Sequence, residues 1–79
     1  MKILIRNLAR SFTEEELKML FGRHGTVQSC DLVLDKVTGE SKGFAFVEMP
    51  KIKEAKTAIK ALDGKIVANT KLRVKKAMS

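Results

Sequence analysis

Seventy-nine residues make one small domain, with little room for a deep catalytic cleft beside its core. A composition of 44% hydrophobic and 32% charged residues excludes a disordered tail, and no apolar run approaches the roughly 20 residues of a membrane span. Sixteen Lys and Arg against nine Asp and Glu leave a net charge of +7, which favours a polyanionic partner, either nucleic acid or an acidic membrane surface. Along the chain, Lys2 to Arg6 alternates and is β-rich, so a strand is predicted there. Thr13 followed by Glu14, Glu15 and Glu16 reads as an N-cap, a capping box and acid at the positive end of a helix dipole. Leu17, Leu20 and Phe21 give that helix one apolar stripe, and Gly22 and Gly25 bracket its exit. Val27 to Leu34 is a second strand, Asp35 to Ser41 a polar turn, and Lys42 to Met49 a third strand that Pro50 stops. Ile52, Ala55, Ala58, Ile59 and Leu62 form the buried face of a second helix, closed by Asp63-Gly64. A turn at Asn69 precedes a last strand over Leu72 to Lys75.

The order β-α-β-β-α-β predicts an α+β, ferredoxin-like sandwich: a four-stranded antiparallel sheet with both helices on one face. The other face is bare, and alternation says which side chains reach it. Ile3 and Ile5 point to one side of the first strand; Lys2, Leu4 and Arg6 point to the other. On the third strand Gly43, Ala45, Val47 and Met49 oppose Lys42, Phe44, Phe46 and Glu48. The wholly apolar sets belong against the helices, so the mixed sets face solvent. The last strand follows suit, with Leu72 and Val74 inside and Arg73 and Lys75 outside. Asp31 is expected on the bare face of the second strand. Two phenylalanines on a solvated face among cations suit a single-strand binder, where rings stack on bases and cations follow phosphates. The bland reading, Phe44 and Phe46 as core or as an oligomer interface, fits neither their basic neighbours nor the element order.

Lys42-Gly43-Phe44-Ala45-Phe46-Val47-Glu48-Met49 resembles the octamer ribonucleoprotein motif of the RNA recognition motif family. Ile3-Leu4-Ile5-Arg6-Asn7-Leu8 is similar to the family's hexamer, and the likeness runs from Lys2 to Ala77. A free-standing domain of this kind most resembles the small single-motif proteins of bacteria. The resemblance implies one domain over residues 1–79 that binds single-stranded RNA, with single-stranded DNA as the alternative. It implies that Phe44 and Phe46 stack on a base or pack on a ribose, and that Lys42 and Arg6 contact phosphate. Arg73, Lys75 and Lys76 would hold the strand where it leaves the sheet. Asn7 is expected to order the loop after the first strand. Asp31 either accepts a hydrogen bond from an exocyclic amine or is a solvated edge charge. The sequence departs from the family at Leu4, where the hexamer is usually aromatic, and at Met49, an inward-facing core substitution. Losing one ring removes about 1–3 kcal/mol from a stacking platform.

Other classes fit less well. Cys30 is the one cysteine and His24 the one histidine, so an internal disulfide, thiolate-rich metal sites and multi-histidine zinc sites are excluded. Cys30 reads as a small buried hydrophobe and His24 as a packing or turn residue. No activated nucleophile or phosphate-cradling glycine loop can be assembled, so neither an enzyme nor a cofactor is expected. A protein-interaction module on the same fold is the serious rival, favoured mildly by Leu4 and opposed by Phe44, Phe46, Lys42 and the net charge. Membrane-surface binding would need an apolar helix face that the core already uses. Lys51, Lys53, Lys56 and Lys60 on the second helix read as a solvated face that attracts RNA from a distance. The expected state is a monomer, with pairing through the phenylalanine face as the alternative, and the expected location is the cytoplasm.

Overall fold

The computed structural model describes residues 1–77, so the last two residues of the expected 1–79 domain lie outside the described part. Strand β1 (Lys2–Arg6) leads to helix α1 (Glu14–Gly22), then to strands β2 (Ser29–Leu34) and β3 (Ser41–Glu48). Helix α2 (Ile52–Leu62) follows, then the short pair β4 (Ile66–Val67) and β5 (Thr70–Lys71), and finally β6 (Arg73–Lys76). The antiparallel sheet has the order β2-β3-β1-β6, the ferredoxin-like arrangement with two crossing helices.

Local chemistry accounts for the helix ends. Thr13 Oγ1 accepts from the Glu16 amide at 3.1 Å while Glu16 Oε1 accepts from the Thr13 amide at 3.1 Å, completing the capping box. Helix α1 includes Gly22 as its last residue and closes on Arg23 rather than on a left-handed glycine. At the end of α2, Gly64 adopts a φ of +84°, as expected of a glycine just past a helix. The core lies between helices and sheet: Ile3, Ile5, Ala45, Val47 and Val74 from the strands meet Leu17, Phe21, Ala55, Ala58 and Leu62. Met49 is fully buried, whereas Ile52, expected in the α2 stripe, is 57% exposed because it begins the helix beyond the sheet's cover.

The hairpin β4–β5 carries no alternation long enough to predict it. Ala68 and Asn69 both have positive φ, +51° and +65°, the backbone signature of a two-residue type I′ turn. Asparagine tolerates that region; alanine does so at a cost of about 1–2 kcal/mol. Ala68→Gly is therefore expected to stabilise the domain by about 1 kcal/mol, read as a higher urea midpoint at unchanged slope. Past the hairpin, Leu72 donates to Lys65 O and Gly64 donates to Leu72 O, while the Val74 amide donates to Asp63 Oδ1 at 3.0 Å. These bonds close the outer edge of β6 against further strand pairing.

Cys30 is buried on β2, where its thiol donates to Glu14 O at 3.8 Å. Burial first, then the negative charges of Glu14 and Asp31, push its pKa up to about 11 from 9.0. The unfolded chain therefore loses this proton before the folded one does. The contribution to stability is complete below about pH 9 and falls as pH rises towards about 11. Urea melts at about pH 8 and about pH 10.5 check this: the wild type should lose stability relative to Cys30→Ala at the higher pH.

Candidate nucleic-acid interface

Register decides which side chains share the uncovered face. Phe46 on β3 pairs with Leu4 on β1 and with Asp31 on β2, and Leu4 pairs in turn with Lys75 on β6. One row therefore runs Asp31, Phe46, Leu4, Lys75 across all four strands. Arg6 pairs with Arg73 at one end of the face, and Lys2 pairs with Glu48 at the other. The Phe44 and Phe46 rings stand 6.3 Å apart, edge to face at 88°, and both remain only half-buried. Leu4, Arg6, Asn7, Gly43, Phe44 and Phe46 line a shallow, mainly apolar hollow of about 410 Å³. Beside it Leu4, Arg6, Arg73 and Lys75 enclose a second hollow of about 390 Å³, edged by three cations. An apolar, ring-walled floor next to a cationic trough is a surface on which flat apolar faces and anionic links can be held together.

The glycine of the octamer has a backbone reason. The β2–β3 register shifts between Leu32 and Leu34, so β3 bulges where Gly43 sits at a φ of +84°. Gly43 accepts at its carbonyl from the Leu8 amide at 2.9 Å, and its amide donates to Ser41 Oγ at 3.1 Å. The bulge ties the first part of β3 to the loop after β1, and Phe44 lines the hollow beside it. Asn7, also left-handed at +59°, donates through Nδ2 to Lys71 O at 2.7 Å, so it orders the loop after β1 as expected.

The structure adds detail on three of the expected cations. Lys76 pairs with Ile3 rather than with the exposed row, which directs it to the side away from Phe44 and Phe46. It borders a groove with Met1, Glu48, Ile52 and Ala77 instead. Lys42 is exposed, lies within the bulged stretch of β3 between Ser41 and Ala45, and lines neither hollow. Lys75 has the expected register, yet its ammonium is held by Asp63 Oδ2 at 3.1 Å. The Asp63 carboxyl is lowered below the usual carboxylate range, first by the Val74 amide and then by Lys75. One residue without an assigned role belongs to the surface: Lys2 Nζ lies 4.8 Å from the centre of the Phe46 ring, in cation–π contact. Its place in the mixed set of β1 was the available signal.

Arg6, Leu4, Phe44, Phe46, Arg73, Lys75 and Asp31 thus share one face. A family model for the RNA recognition motif matches residues 3–73. The chain belongs to the RNA recognition motif family. Over 77 residues it is 42% identical to RbpB of Nostoc sp., named as an RNA-binding protein, covering 98% of this chain and 75% of that one. It is 40% identical over 73 residues to a 33 kDa chloroplastic ribonucleoprotein of Nicotiana sylvestris, covering 92% of this chain but only 22% of that longer protein. Among solved structures, a Sxl-lethal protein/RNA complex superposes with a TM-score of 0.94 at 33% identity, over 99% of this chain and 47% of that one. The RNA recognition motif fold therefore accounts for both the bare sheet face and the bulged octamer.

Proposed function

We propose that this domain binds single-stranded RNA, without catalysis, on the uncovered face of its sheet. The observation that carries the reading is the hollow walled by Phe44 and Phe46 on a face that no helix covers, bordered by Arg6 and Arg73, which among the described residues have no ion-pair partner. In this reading one base stacks on Phe46 and the next packs on Phe44. Leu4 packs beneath a base or sugar, and Arg6 and Arg73 meet the phosphate between them. Lys75 joins them when it exchanges Asp63 for phosphate, and Lys42 guides the backbone past the bulge. Asp31, beside Phe46 in the row, accepts from an exocyclic amine or stays solvated. Relatives and a similar solved structure named for RNA support RNA over DNA as the partner. We also propose a single domain spanning the chain, acting as a monomer in the cytoplasm. Among the described residues no helix is long and apolar enough to cross a membrane.

An NMR titration with short RNA oligomers tests the reading. Shifts should gather on Leu4, Arg6, Phe44, Phe46 and Arg73, and affinity should fall with salt at a log–log slope of about −0.7 per phosphate neutralised. Shifts that leave Leu4, Phe44 and Phe46 unmoved would sink this reading. Restoring the missing ring gives a gain-of-function check. Leu4→Tyr should tighten RNA binding by about 1–3 kcal/mol, read by fluorescence anisotropy against the wild type.

A further inference from the structure

We propose that the exposed stripe of α2 is a second contact surface for RNA phosphates, so that one molecule holds two strands and speeds their pairing. The first strand rests on the sheet reading above; the second rests on α2 alone. Lys53, Lys56 and Lys60 stand at i, i+3 and i+7. At about 100° per residue they fall within about 60° of one another, on the side away from buried Ala55, Ala58 and Leu62. All three are exposed, as is Lys51 at the N-cap. Among the described residues none of the four has an ion-pair partner. The one acid of α2, Glu54, is committed elsewhere: its Oε1 accepts from the Thr26 amide at 2.9 Å.

This pattern has an energetic cost. Like charges at i+3 and i+4 destabilise a helix by a few tenths of a kcal/mol per pair, and Lys51 adds charge at the positive end of the dipole. Helix α1 shows the opposite choice, with three glutamates in its first turn and a complete capping box. A polyanion laid along α2 removes the cost. The stripe covers about 10 Å of helix axis, the reach of about three phosphates at about 3.4 Å each along a stacked strand. A bilayer fits less well, because the apolar face of α2 is already buried in the core.

Sheet and stripe lie on opposite sides of a body whose two shorter dimensions are 24 and 22 Å. Two strands bound front and back cannot pair while both are held; the second pairs on leaving the stripe, within about one domain of the first. Repulsion between backbones slows pairing, and cations on both sides reduce it while raising the local concentration of the second strand.

A fluorescence-transfer annealing assay with two complementary labelled RNA oligomers at low salt tests this. The wild type should raise the annealing rate about tenfold, within the range of electrostatic steering. Lys53→Gln/Lys56→Gln/Lys60→Gln should abolish that gain yet bind an RNA tetranucleotide within about twofold of wild type. Lys18→Gln/Lys36→Gln/Lys65→Gln removes the same charge from other exposed sites and should anneal like the wild type. The proposal is overturned if the wild type gives no acceleration, if both triple variants lose it equally, or if the α2 variant loses only binding to anionic vesicles. Failure of the sheet reading shows separately, as unchanged tetranucleotide affinity in Phe44→Ala/Phe46→Ala. The stripe is then judged by whether the α2 variant, but not the control, flattens the salt slope for a longer single strand by about 2.

Discussion

Phe44→Ala/Phe46→Ala is expected to weaken binding of a short RNA by at least about 2 kcal/mol, roughly thirtyfold, with the fold retained. Each ring is worth about 1–3 kcal/mol as a stacking surface. The two touch edge to face at 6.3 Å, so their losses should not add fully. Phe46→Ala alone should cost more than Phe44→Ala. Phe46 sits mid-sheet between Leu4 and Asp31 and carries Lys2 over its ring, whereas Phe44 stands at the bulge near the start of β3. Both rings are half-exposed, so the thermal midpoint should change little compared with a core truncation. Anisotropy titrations at fixed salt, paired with circular dichroism melts, separate binding from folding. Unchanged affinity in the double variant would remove the platform from the account.

Phe21→Ala should have the largest effect on stability, about 3–5 kcal/mol. The ring is fully buried on α1 within the main hydrophobic cluster. A domain of this size has about 4–12 kcal/mol of total stability, so this one truncation brings it close to unfolding. Urea denaturation should show the midpoint falling sharply. RNA affinity, corrected for the folded fraction, should stay near wild type because Phe21 lies on the opposite side of the sheet from Phe44 and Phe46. A separate loss of affinity in the folded fraction would mean that helix packing sets the geometry of the sheet face.

Local rules carried much of the fold. The capping box at Thr13, the stripe of Leu17 and Phe21, and the period-two alternation of β1 and β3 each act over a few residues. The sheet's inner set of Ile3, Ile5, Ala45, Val47 and Val74 followed from that alternation, and so did the outward placing of Leu4, Phe44 and Phe46. The strand ends were less legible: β2 starts at Ser29 rather than Val27, and β6 runs over Arg73–Lys76 rather than Leu72–Lys75. Hydrogen-bonded pairing, not side-chain type, decides where a strand stops.

The sequence by itself determined the element order, the two faces of the sheet and the phenylalanines on the open one, because a strand's side chains must alternate whatever it pairs with. Tertiary structure alone decided how the cations sit around those rings. Cross-strand register sends Lys76 to the helix side opposite Ile3, and the bulged stretch of β3 leaves Lys42 outside the hollow. Asp63, twelve residues away, holds the Lys75 ammonium, and Lys2 comes to rest over Phe46 from another strand. The physical reason is reach. Lysine and arginine place their charge at the end of a long flexible stem, so its position depends on which distant groups the fold brings within a few ångströms.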